Sequence, residues 1–86
     1  MTITYSPSFS RQYKKLSVRI KHSAEKAEQI FRKSLFDPRL DTHKLHGRQK
    51  EYWSFSVTRG VRIVFEIIEK DDIRFHRIGN HDDVYE

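Results

Sequence analysis

Apolar side chains at Phe9, Tyr13, Leu16 and Ile20 recur every three or four positions, with Arg11, Lys14, Lys15 and Arg19 between them. That period predicts a helix with one face on a core and the other in water. A second stripe, Ala27, Ile30, Phe31 and Leu35, opposes Glu25, Lys26, Glu28 and Arg32 and predicts a second helix, which Ser23 is placed to cap. Ser6-Pro7-Ser8 supplies a turn and a cap before the first helix. Phe36-Asp37-Pro38 ends the second, because the residue before a proline is pushed out of the α region.

Elsewhere the period is two. Ile3 and Tyr5 mark a short first strand, Tyr52 to Val57 alternates, Val61 to Ile68 is a longer β-branched run, and Ile73 to Ile78 alternates again. Arg59-Gly60 and Lys70-Asp71-Asp72 are the hairpin turns, and Arg39 to Lys50 has weak periodicity and reads as an ordered loop. The order is β-α-α-β-β-β. The pattern predicts an α+β fold in which two helices pack on one four-stranded antiparallel sheet, with the first strand at an edge, all in a single domain over residues 1–86.

Composition narrows the chemistry. A chain of 86 residues hides only about 60 to 65% of its unfolded surface, which permits one modest core. Six Phe, four Tyr and one Trp supply bulk for it. There is no cysteine, no signal peptide and no long apolar run, so disulfides, Cys-based zinc sites and a membrane span are not expected, and the cytoplasm is the default compartment. The histidines show no helical i, i+4 pair, and neither a metal site nor a cofactor is expected. Lys plus Arg number 17 against 12 acidic residues, a net charge of +5, which favours a partner made of phosphates or an acidic protein segment.

Two strings carry a resemblance. "KLHGRQKEYWSFSVTRGVRIVFEI" and "IRFHRIGNHDDVY", with their "L-x-G", "R-I-V-F-E-I" and "I-G-x-H-x-x-x-Y" elements, resemble the RelE/ParE superfamily of bacterial toxin-antitoxin systems over essentially the whole chain. The resemblance implies the RelE-like fold and a toxin held silent by a cognate antitoxin, with the complex reaching operator DNA through the antitoxin. RelE-, YoeB- and YafQ-like members enter the ribosomal A site and cut mRNA without a metal, inhibiting translation. ParE-like members inhibit DNA gyrase instead, and a catalytically degenerate member would only bind its antitoxin as a co-repressor.

Cleavage by a ribose 2′-hydroxyl needs a base, positive charge at the phosphate and an acid for the leaving oxygen. Histidine suits both proton roles. Arg62 falls on the strand where RelE- and YoeB-like toxins keep a phosphate-stabilising arginine, and arginine can grip a phosphate through two parallel hydrogen bonds. His81 and Tyr85 match the C-terminal "H-x-x-x-Y/F" of the YafQ-like branch, which implies proton transfer or phosphate binding for His81 and nucleotide holding for Tyr85. His43 stands before "L-x-G" where that branch places a catalytic histidine, and Glu51 lies near the acidic base of the YoeB-like branch. Lys44, Arg48, Lys50, Arg59 and Arg77 are the candidate RNA-binding cations. Ser56 stands near the place of a second YafQ-type histidine and Gly60 near that branch's acidic residue, so the full set of no single branch is present.

Overall fold

The computed structural model describes residues 1–46, 51–80 and 84. Its elements are β1 (Thr2–Tyr5), α1 (Pro7–Lys14), α2 (Val18–Lys33), a 3-10 turn at Pro38–Leu40, β2 (His43–Lys44), β3 (Tyr52–Ser56), β4 (Val61–Glu69) and β5 (Asp72–Asn80). The α+β architecture, the two helices after the first strand and the three long strands after them agree with the pattern of the sequence. The sheet, however, has five strands in the order β1-β5-β4-β3-β2, and β1 runs parallel to β5.

Both departures have a local cause. A tight hairpin forces its two strands to be antiparallel, but β1 reaches β5 only through the helices, and no turn signal reports its direction. β2 has two residues, too few for alternation to register, and it pairs His43 with Ser54 and Lys44 with Trp53.

The break between the helices also falls earlier than the sequence suggests. Ser17 caps α2 by accepting a hydrogen bond from the Ile20 amide at 3.2 Å, whereas Ser23 lies inside the helix and donates to the Arg19 carbonyl at 3.3 Å. The apolar stripe keeps its phase across the turn at Leu16, so periodicity alone does not see the interruption.

Ser6 caps α1 as expected and does more. Its hydroxyl accepts from the Phe9 amide at 3.0 Å and donates to the His76 carbonyl at 2.7 Å, tying the start of α1 to β5. Gln12 adds a second tie, accepting from the Ile78 amide at 2.9 Å.

The core lies between the helices and one face of the sheet. Ala24 and Ala27 keep α2 slim where it crosses, and Phe31, one turn further on, is fully buried with Phe55, Phe65 and Phe75 around it. The Phe31 ring stacks on Phe55 at 4.6 Å and meets Phe65 and Phe75 edge-on at 4.9 and 5.4 Å, geometries in which aromatic quadrupoles attract.

Candidate functional site

Alternation along β3 and β4 sends Phe55, Ile63 and Phe65 into the core and Tyr52, Ser54, Ser56, Arg62, Val64 and Glu66 to the other face. The register sets Ser56 opposite Arg62 and Ser54 opposite Val64. This second face carries the polar chemistry.

Arg62 is its centre. The Nε donates to Ser54 Oγ at 3.1 Å, Nη1 to Ser56 Oγ at 2.6 Å, and Nη2 to the Asp41 carbonyl at 2.8 Å. Nη2 also lies 3.3 Å from His43 Nδ1, and Nη1 lies 3.6 Å from the Asp41 carboxylate. The side chain is 13% exposed, so the charge is held in place and partly dry, where electrostatic effects are stronger than in water. Small hydroxyls at Ser54 and Ser56 make room for the guanidinium and orient it. Among the described residues Arg62 pairs with Asp41 and not with Glu66 or Glu51, while Asp83 lies outside the described residues.

The loop before β2 is built to reach this arginine. Asp37 accepts from the Arg39 amide at 2.9 Å and pairs with the Arg39 guanidinium at 2.9 Å, closing the 3-10 turn. These Arg39 contacts hold the Asp37 carboxyl down to about 2. Asp41 then adopts a left-handed conformation, φ 48°, which turns its carbonyl toward Arg62. His43 follows on β2, its Nδ1 3.1 Å from the same carbonyl. One nitrogen cannot both accept from Arg62 and donate to Asp41. In the first tautomer Nε2 carries the proton; in the second Nε2 is a free base.

The other sequence candidates are distributed differently. Lys44 shares its register position with Trp53 rather than with the arginine, and its ammonium pairs with Glu51 at 3.0 Å. Both partners are exposed, and such pairs contribute roughly 0 to 1 kcal/mol. Arg59 is exposed in the β3–β4 hairpin, and Arg77 is exposed on β5 opposite Val64. His81, Tyr85, Arg48 and Lys50 lie outside the described residues.

Sequence reasoning missed Asp41 and Ser54, and it marked Ser56 only as a departure from the YafQ-like pattern, not as a partner of Arg62. The serines were findable: they share parity with Arg62 across the hairpin, provided the register is known. A two-residue turn at Arg59-Gly60 would have set Val57 opposite Arg62, and the longer turn observed shifts the pairing by one residue.

It also missed a second polar group further along the face. His76 Nε2 lies 2.9 Å from Glu66 Oε1, and the Tyr52 ring stands edge-on to the imidazole at 5.0 Å. A cavity of about 200 Å³ lies beside them, with Val64, Arg77 and Val84 among its walls. A larger hollow of about 560 Å³ belongs to the helical layer, lined by Tyr5, Phe9 and Tyr13, away from this chemistry. Among the described residues no group of three or more His, Cys, Asp or Glu side chains could hold a metal ion, and no helix is long and apolar enough to cross a membrane.

The model of a family described as the bacterial toxin of type II toxin-antitoxin system, YafQ, matches residues 1–86. Among solved structures the chain is similar to a YoeB/ParE toxin from Agrobacterium tumefaciens, with a TM-score of 0.79, 16% identity, and coverage of 94% of this chain and 99% of that one. It is also similar to YafQ from E. coli, with a TM-score of 0.72, 20% identity, and coverage of 99% and 98%. The E. coli DinJ-YafQ toxin-antitoxin complex matches with a TM-score of 0.72 and 21% identity over 99% of this chain and 97% of that one. No curated protein sequence matches the chain.

Proposed function

Since the chain belongs to the YafQ family of bacterial type II toxin-antitoxin toxins, we propose that it is a ribosome-dependent mRNA endoribonuclease that arrests translation in the cytoplasm. The observation that carries this reading is the Arg62–His43 contact at 3.3 Å on the sheet face opposite the helices. It joins a fixed positive charge to a group able to take or give a proton.

In the proposed reaction the ribose 2′-oxygen attacks the adjacent phosphorus, the bond to the 5′-oxygen breaks, and a cyclic phosphate forms. His43 takes the 2′-hydroxyl proton through Nε2, in the tautomer where Nδ1 donates to the Asp41 carbonyl and Arg62 is a neighbour of the ring without a hydrogen bond to it. Arg62 stabilises the charge that builds on the phosphate oxygens. An incoming phosphate competes for Nη1 with the Asp41 carboxylate, which is the longest of the arginine's contacts and 78% exposed. His81 is proposed to protonate the 5′-oxygen and Tyr85 to hold the nucleotide; in sequence they flank Val84, which lines the cavity on the same face. Arg59 and Arg77, with Arg48 and Lys50, are proposed to hold flanking phosphates. Lys44 is proposed to join them by exchanging its exposed partner Glu51, 3.0 Å away, for a phosphate, which leaves Glu51 free to serve as an alternative base.

The partners follow from the same reading. The DinJ-YafQ complex supports a cognate antitoxin for this chain, through which operator DNA would be reached. With a net charge of +5, an acidic antitoxin segment and RNA would compete for the basic surface.

Purified chain added to ribosomes carrying a defined mRNA tests the proposal. Cleavage within the A-site codon, absent without ribosomes, is the expected result. Intact mRNA together with inhibited gyrase would replace this reading with a ParE-like one.

A further inference from the structure

A regular strand sends successive side chains to opposite faces, so neighbours in sequence do not normally share a cavity. In β5 they do. Val64 pairs with Arg77 but Phe65 pairs with Phe75, which leaves His76 as an extra, bulged residue. Phe75 points into the core and Ile78 is buried there, while His76 and Arg77 both line the cavity of about 200 Å³. β-Bulges re-aim side chains in this way, often beside functional sites.

The bulged histidine is held from several sides. Ser6 donates to its carbonyl at 2.7 Å, Glu66 lies 2.9 Å from its Nε2, and the Tyr52 ring packs edge-on at 5.0 Å. An ionised carboxylate only accepts, so Nε2 is the donor, and Nδ1 is the nitrogen left to meet a ligand. Arg77, an exposed residue, lines the same cavity, and Leu45, Val64 and Val84 give it an apolar wall. The volume is below the roughly 300–1,000 Å³ of drug-sized pockets, so it suits one base of a nucleotide whose phosphate stays at the rim.

We propose that this cavity is a nucleotide subsite separate from the Arg62 cluster: Arg77 takes a phosphate, His76 Nδ1 accepts from a ribose hydroxyl or a base N–H, and the base rests on the Tyr52–Val64 wall. The inference rests on the reading of the chain as an RNA-binding toxin. Arg77 lies one strand over from Arg62 and two residues along, about 8 Å by strand geometry, so one extended RNA strand can meet both arginines. Glu66 is a positioning residue that fixes the imidazole.

The test uses the full-length chain, isotope-labelled for NMR, and a trinucleotide 2′-O-methylated at its scissile ribose alone, which cannot be cleaved there and keeps the other ribose hydroxyls. Binding is expected to shift the His76 imidazole and Tyr52 signals. Arg77→Ala should weaken binding tenfold or more and His76→Gln three- to tenfold, with amide spectra showing an intact fold. Unmoved His76 signals at saturation, wild-type affinity in Arg77→Ala, or no binding at all would overturn the proposal. Cleavage assays on the same samples separate the two readings. Trinucleotide bound at His76 with mRNA left uncut sinks the nuclease and keeps the subsite, whereas cut mRNA with His76 unmoved does the reverse.

Discussion

Arg62 on β4 and His43 on β2 meet at 3.3 Å although β3 lies between their strands. Two serines of β3, Ser54 and Ser56, are short enough to let the guanidinium pass over the intervening strand, and both accept from it. The proposed site thus depends on small residues at two positions that do no chemistry.

Replacing those serines should disturb the arginine before it disturbs the fold. Ser56→Ala removes the shortest of the guanidinium's bonds, and a lost hydrogen bond to a charged group costs about 1.5 to 3 kcal/mol. Urea unfolding should report a loss in that range or below. Ser56→Leu should remove cleavage altogether by blocking the path from Arg62 to His43, and retained cleavage in that variant would show the contact to be dispensable.

The histidine itself gives a sharper result. His43→Gln should lower the single-turnover cleavage rate by about 10²- to 10⁴-fold, the usual contribution of a positioned acid or base, while mRNA and ribosome binding stay within a few-fold of wild type. An unchanged rate would transfer the base role elsewhere on the face.

Asp37 governs the loop that delivers Asp41 and His43. Its carboxyl is held at about 2 by the Arg39 side chain and amide, below the ordinary value near 3.9. A depressed carboxylate contributes stability that is complete above the unfolded value and is lost as pH falls from there through the folded one. The Asp37 carboxyl ¹³C signal should therefore titrate near 2 in the wild type and move up toward, without reaching, 3.9 in Arg39→Ala, which keeps the amide bond; a wild-type midpoint near 3.9 would mean the turn is not closed in solution.

The core prediction is the largest. Phe31→Ala takes a fully buried ring out of contact with Phe55, Phe65 and Phe75, a change that costs about 3 to 5 kcal/mol. For a domain of this size that is a large share of the roughly 5 to 15 kcal/mol available, so chemical denaturation should show a much lower midpoint.

Much of this architecture is legible in the residues. The two helices and the three long strands follow from periods of 3.6 and 2, because burial of one face imposes them, although the second stripe runs on to Leu35 in the sequence and α2 stops at Lys33. The direction of β1 and the existence of β2 are not legible, since long-range pairing leaves no local mark. The same limit applies to the site. Arg62 and His43 could be singled out by chemistry and by resemblance, but their meeting depends on a one-residue choice of hairpin register. Asp41 was hidden because its contribution is a backbone carbonyl in a left-handed turn. The pairing of Arg77 with His76 on one face was hidden because a bulge breaks the alternation between Phe75 and Ile78.

The central claim is that Arg62 and His43 form the working centre of an mRNA endoribonuclease. Mapping mRNA 5′ ends in translating cells, after inducing the chain without an antitoxin, tests it most directly. The account predicts codon-phased cuts with the wild-type chain and none with folded Arg62→Ala or His43→Gln. Codon-phased cuts persisting in both variants, or growth arrest with uncut mRNA, would contradict it.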